Sequence, residues 1–129
     1  METTPPPPLK PERRIFAREL RGVTLILTWL PQRGSFNEPE IVHETTELLE
    51  LIENSQPTKF VLDLSHCDYL GTVILNAVLK LWKRISHRGG QLVLCNVSPM
   101  VTQVLRLTKL NTIWPSYGSR DQALNAIGG

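Results

Sequence analysis

"KFVLDLSHCDYLGTVILNAVLKLWKRISHRGGQLVLCNV", residues 59–97, decides the fold. Its first part, Lys59 to Ser65, is a short and nearly continuous apolar run, which suits a strand covered on both faces. A helix is predicted from about Gly71 to His87. At about 100° per residue, Ile74, Ala77, Val78, Leu81 and Ile85 share one wide apolar stripe, with Leu75 and Trp82 at its margins. Asn76, Lys80, Lys83 and His87 form the opposite face. Val73 falls between Asn76 and Lys80, and Thr72 beside Lys83 and Leu79, so Val73 and Leu79 are apolar residues expected on an outward face. Arg88-Gly89-Gly90 stops the helix, the glycine pair supplying a left-handed exit, and Gln91 to Val97 reads as a second buried strand.

The flanking residues continue this alternation. "RIFAREL" (14–20) and "GVTLILTWL" (22–30) are β-rich runs that read as a hairpin turning at Arg21-Gly22. Asn37 can cap a helix, with Glu40 in the capping-box position and Pro39 tolerated in the first turn. Ile41, Thr45, Leu48, Leu49 and Ile52 then lie on one face, Glu44, Glu47, Glu50 and Glu53 on the others, and the helix ends near Asn54. Ser98-Pro99 starts the helix "MVTQVLRLTKL" (100–110), "TIWPSY" (112–117) is a short last strand, and Ser119 caps a terminal helix. The order β-β-α-β-α-β-α-β-α predicts an α/β fold: one domain over 12–129, with a mixed, mostly parallel sheet of about five strands and four helices. Residues 1–11, METTPPPPLKP, read as a disordered Pro-rich leader.

Composition narrows the function. A chain of 129 residues supports one core, and its formal charge of +2, with both signs interleaved, suggests neither nucleic acid nor anionic lipid as partner. No run approaches the ~18 apolar residues that a membrane span requires, so direct insertion is not expected and a cytoplasmic location is. Cys67 and Cys95 lack C-x-x-C spacing or a nearby His pair and read as reduced, packed thiols; no metal or cofactor site is expected. His43, His66 and His87 are scattered, no nucleophile elbow or phosphate loop exists, and Asp63 lies in a buried-strand pattern where a structural role fits better than a catalytic pairing with Asp68. His66 and Cys67 read as a strand-end pair pointing to opposite faces. The protein is therefore expected not to be an enzyme.

In open α/β sheets the carboxyl ends of strands and the following helix N-termini gather free N–H groups and a positive dipole. Asp68, Thr72 and the first turn of the second helix belong to such a place. A phosphate on Thr72 would add about −1.5 to −2 charges there. The competing reading is that Thr72 caps or enters the helix through a local hydrogen bond and is never modified.

These residues together resemble the STAS domain, the module of bacterial anti-sigma factor antagonists, over roughly residues 13 to 127. The likeness rests on the strand, turn and helix of residues 59–87, the Gly-Gly exit, the "LVLCNVSP" strand and the Leu-rich helix after it. What the resemblance implies is a non-enzymatic partner switch: an antagonist binds an anti-sigma factor that is also a serine kinase, and phosphorylation breaks the complex. In the usual Asp-Ser-Ser/Thr-Gly motif the third residue accepts phosphate. Here the motif reads Gly71-Thr72-Val73-Ile74, so Val73 occupies the acceptor position and Thr72 is the only candidate acceptor; either Thr72 is used or the protein is locked in its binding-competent state. The implied partner surface centres on Thr72, Val73, Asn76, Leu79, Lys80 and Lys83, and extends to the loop at Gly34, Ser35, Phe36 and Asn37. An adaptor subunit of a phospholipid-transport ATPase complex, or a stressosome-like scaffold, is the alternative role. The partner's identity and the oligomeric state are left open.

Overall fold

A computed structural model describes residues 16–30, 38–54, 58–67 and 71–128. Its elements are β1 (Phe16–Arg21), β2 (Thr24–Trp29), α1 (Glu38–Asn54), β3 (Lys59–Asp63), α2 (Thr72–His87), β4 (Gln91–Cys95), α3 (Pro99–Leu107), β5 (Ser116–Tyr117) and α4 (Arg120–Ala126), with a short 3-10 turn at Leu110–Thr112. The five strands lie in the order β1-β2-β3-β4-β5. β1 is antiparallel to β2, and every later pairing is parallel. This is the α/β architecture expected from the alternation of patterns.

Strand geometry sends successive side chains to opposite faces. Leu25, Leu27, Phe60, Leu62, Leu92 and Leu94 therefore share one face, where they meet Leu48 and Ile52 of α1, Leu81 and Ile85 of α2 and Leu105 of α3. Ile26, Val61, Val93 and Cys95 line the other face and are covered by Ala123 and Ile127, from α4 and its end. Because the sheet grows in one direction from β2 to β5, crossovers of constant hand place α1, α2 and α3 on the same side. β5 is an edge, and α4 folds back across the opposite side.

The hairpin turn is Gly22-Val23, one residue later than expected, with Arg21 paired to Thr24. Gly22 sits at φ +61°, the region a two-residue hairpin demands of its first turn residue. Glu44 departs from the outward acidic face assigned to it. It is buried at 6% exposure, and its Oε1 accepts from the Phe16 amide (3.3 Å) and from Arg18 Nη2 (3.4 Å), because the start of β1 packs over α1.

The last part of the chain also differs in detail. α3 stops at Leu107, three residues early, and Lys109 at φ +61° breaks the helical path. The last strand shrinks to Ser116–Tyr117, because Trp114 turns inward and is 1% exposed in the main core. β3 ends at Asp63, so His66 and Cys67 stand in the following turn region and not in a strand; His66 is exposed and Cys67 buried. Asn37, Asp68, the loop Gly34–Asn37, the leader at 1–11 and the side chain of Val73 lie outside the described residues.

Candidate docking surface

The carboxyl edge of the parallel strands ends in a turn that delivers the chain to α2. After β3, the Leu64 amide donates to the Cys95 carbonyl (3.0 Å) and the Cys67 amide to the Leu64 carbonyl (3.0 Å). The helix is entered through Gly71, an extended N-cap (φ −79°, ψ 172°) that makes no side-chain capping bond. Thr72 is the first helical residue and is exposed, so it is not the cap. Its hydroxyl has no hydrogen-bond partner among the described residues. No acidic residue occupies this first turn, which leaves the positive end of the helix dipole uncompensated from within the helix.

From this end a crest runs along α2. Asn76, Lys80 and Lys83 are exposed, as the helical spacing predicts. Leu79 is not fully outward: it is half-buried and packs at the margin of the main core. Lys80 leans towards α1, where Val42, Thr46, Leu49, Asn76 and Ala77 help to line a cleft of about 150 Å³. A wider groove of about 610 Å³ continues between Leu49, Glu53, Lys80, Lys83, Arg84 and His87. Arg84 and Glu53 close an ion pair across it. Thr72, Asn76, Leu79, Lys80 and Lys83 are thus brought onto one element.

Behind this surface lies a polar cluster at the ends of β2, β3 and β4. Asp63 is 4% exposed, and its Oδ1 accepts from the Ser65 amide (3.0 Å) and from Asn96 Nδ2 (3.1 Å). Arg120 Nη2 donates to Asp63 Oδ2 and to Thr28 Oγ1, each at 3.0 Å, while Nη1 stands 3.6 Å from Glu19 Oε1. Burial by itself would raise the Asp63 pKa; the hydrogen bonds from Asn96, Arg120 and Ser65 outweigh it and hold the carboxyl below its usual 3.8. Burial, aided by the Asp63 charge, pushes the Cys95 thiol up to about 12, which keeps it protonated and unreactive. Asp63 is thus buried, as its strand pattern suggested, and ties the ends of β3 and β4 to the start of α4. Arg120, 57 residues away, carries no sequence signal that pairs it with Asp63.

Among the described residues, no group of three or more His, Cys, Asp or Glu side chains could hold a metal ion, and no helix is long and apolar enough to cross a membrane.

A family model described as the STAS domain matches residues 37–123. The chain belongs to the STAS domain family. Two curated relatives of this STAS domain are bacterial. The anti-sigma F factor antagonist of Paenibacillus polymyxa is 28% identical over 93 residues, covering 68% of this chain and 80% of that protein. BtrV of Bordetella bronchiseptica, assigned to the anti-sigma factor antagonists, is 30% identical over 95 residues, covering 74% of this chain and 81% of its own. The solved structure of a STAS domain protein from Planctomyces limnophilus superposes with a TM-score of 0.76 at 24% identity, over 88% of this chain and 98% of that one.

Proposed function

We propose that this STAS domain is an anti-sigma factor antagonist that binds a kinase-like anti-sigma factor through the amino end and crest of α2, in the cytoplasm of a bacterial cell. The observation that carries this reading is the α2 entry, where an exposed Thr72 follows the Gly71 N-cap, which makes no side-chain capping bond, at the rim of the sheet. Relatives named as antagonists support the general role. The contact set is Thr72, Val73, Asn76, Leu79, Lys80 and Lys83, joined by Gly34, Ser35, Phe36 and Asn37.

Val73 holds the place where the family's motif carries its phosphate acceptor. A side chain without a hydroxyl cannot be phosphorylated, so the contact made through this position is permanent unless Thr72 takes the phosphate instead. Apolar contacts at Val73 and Leu79 supply most of the affinity, and rim pairs made by Lys80 and Lys83 add modestly.

The test is capture of the partner from the native cell by the tagged chain, with mass-spectrometric identification. Val73→Asp and Val73→Glu abolish capture while circular dichroism stays that of the parent; unchanged capture defeats the proposed surface. A transporter ATPase in the captured complex, in place of an anti-sigma factor, turns the assignment to the adaptor role. Incubation of parent and Thr72→Ala with the captured kinase, followed by mass spectrometry, decides between the two modes. Phosphate on the parent alone marks Thr72 as the acceptor, and none on either marks a locked antagonist.

A further inference from the structure

Charge in this chain is sorted by element. α1 carries Glu38, Glu40, Glu44, Glu47, Glu50 and Glu53 with no Lys or Arg, whereas α2 carries Lys80, Lys83 and Arg84 with no Asp or Glu. The asymmetry runs past α2: from Tyr69 to Arg120 the chain contains no acidic residue. The two helices lie side by side on the same face of the sheet, and both run back against parallel strands, so they point the same way. Their levels are fixed by the Arg84–Glu53 ion pair at one end and by the cleft shared by Val42, Thr46, Asn76 and Lys80 nearer the other.

Such a pair of helices complements its own copy. A two-fold axis running along the groove turns the face over, sets α1 of one copy on α2 of the other, and keeps every residue at its level. Glu50 then comes over Lys83 of the second copy, and Lys83 under its Glu50. Both residues are exposed, and neither makes an ion pair among the described residues. Val42, 46% exposed, and the half-buried Leu49 provide an apolar centre. A two-fold axis across the groove would instead stack α1 on α1 and bring like charges together.

We infer that the α1–α2 face pairs with a second copy of this chain in a two-fold, charge-complementary dimer. Helices about 24 Å long and about 10 Å apart give a footprint of roughly 500 Å² per copy, below the ~800 Å² of a standard interface. The dimer is therefore weak, with a Kd on the order of 10–100 µM, and salt-sensitive. It covers Asn76, Lys80 and Lys83. If the docking surface is the one proposed above, on which this clause rests, dimer and partner complex exclude one another.

Sedimentation velocity of the full chain across a concentration series, at low and at molar salt, tests the pairing. The parent moves from monomer to dimer as concentration rises, and molar salt shifts it back. Lys83→Glu and Glu50→Lys each weaken the dimer about tenfold, since each reversal places two like pairs across the axis. An equimolar mixture of the two variants restores it, because both carboxylates of the Lys83→Glu chain then face the two ammonium groups of the Glu50→Lys chain. A parent that stays monomeric up to about 1 mM overturns the inference. So does a dimer indifferent to both reversals, or a mixture that fails to re-associate. Partner capture by the parent and by Val73→Asp is read separately, so the dimer can fail while the docking surface stands, and the reverse.

Discussion

Asp63 accepts hydrogen bonds from the turn after its own strand, from the residue after β4 and from the start of α4. Asn96 reaches it from a left-handed backbone, φ +56°, a conformation Asn tolerates better than most residues. Replacing Asp63 by Asn keeps the shape but loses the charge opposite Arg120 and turns one acceptor into a donor. The expected loss is about 1–3 kcal/mol at neutral pH, read as a fall in the urea midpoint. Because the folded pKa lies below the unfolded value of 3.8, the stabilisation is complete above that value and fades as pH falls through the folded pKa. Parent and Asp63→Asn therefore converge in acid; a constant gap down to the acid limit assigns the effect to the lost acceptor and not to the charge. That Asp63 is buried follows from its place in an apolar strand, whereas its Arg120 partner does not, since contacts across 57 positions leave no local pattern. Glu44 was illegible for the same reason: helical spacing cannot show that β1 would fold over it.

At the level of elements, α2 is bounded by glycines with different duties. Gly71 caps without a side chain, so Gly71→Asp adds both a capping oxygen and a favourable charge at the helix start, and should stabilise by about 0.5 kcal/mol, visible as a small rise in Tm. An unchanged or lower Tm would mean the N-cap geometry is wrong. At the other end Gly89 alone is left-handed, with φ +76°. Gly90 answers a different need: a Cβ there would stand 2.7 Å from the Thr58 carbonyl oxygen and 2.9 Å from Ile85 Cγ2. Gly90→Ala is expected to cost about 1–3 kcal/mol in the same denaturation assay, since backbone cannot give way as a flexible side chain does. The exit was legible as a Gly-Gly pair because helices commonly end so. The close approach of Thr58 was not, since it depends on how α2 meets the segment before β3. Element types followed from period-two and period-3.6 patterns, while the end of α3 slipped because Lys109 takes a left-handed conformation and β5 shortened because Trp114 leaves the strand for the core.

For the molecule as a whole, the sheet separates two unequal cores. α1, α2 and α3 bury the larger one, and α4 closes the smaller with Ala123 and Ile127. Hydrogen exchange should find α4 opening at lower free energy than β3 and β4, with Arg120→Gln widening the gap in α4 while α1 and α2 change little. Uniform exchange across all helices would show instead that the layers unfold together. Topology was legible because parallel strands joined by helices admit few arrangements. That α4 would return across the opposite face was not, since the alternation of patterns does not say on which side a helix after the last strand packs.

The aromatic residues of the larger core carry a practical consequence. Trp82 and Trp114 meet edge to face with centroids 6.4 Å apart, and Trp29 sits against Phe16 at 5.4 Å. Trp82 alone of the three tryptophans is half-buried, on the helix that presents the crest. The chain thus contains an intrinsic optical gauge: any loosening of α2 or of the Trp114 segment from the larger core changes the surroundings of this indole, and a shift in emission wavelength reports it without any dye.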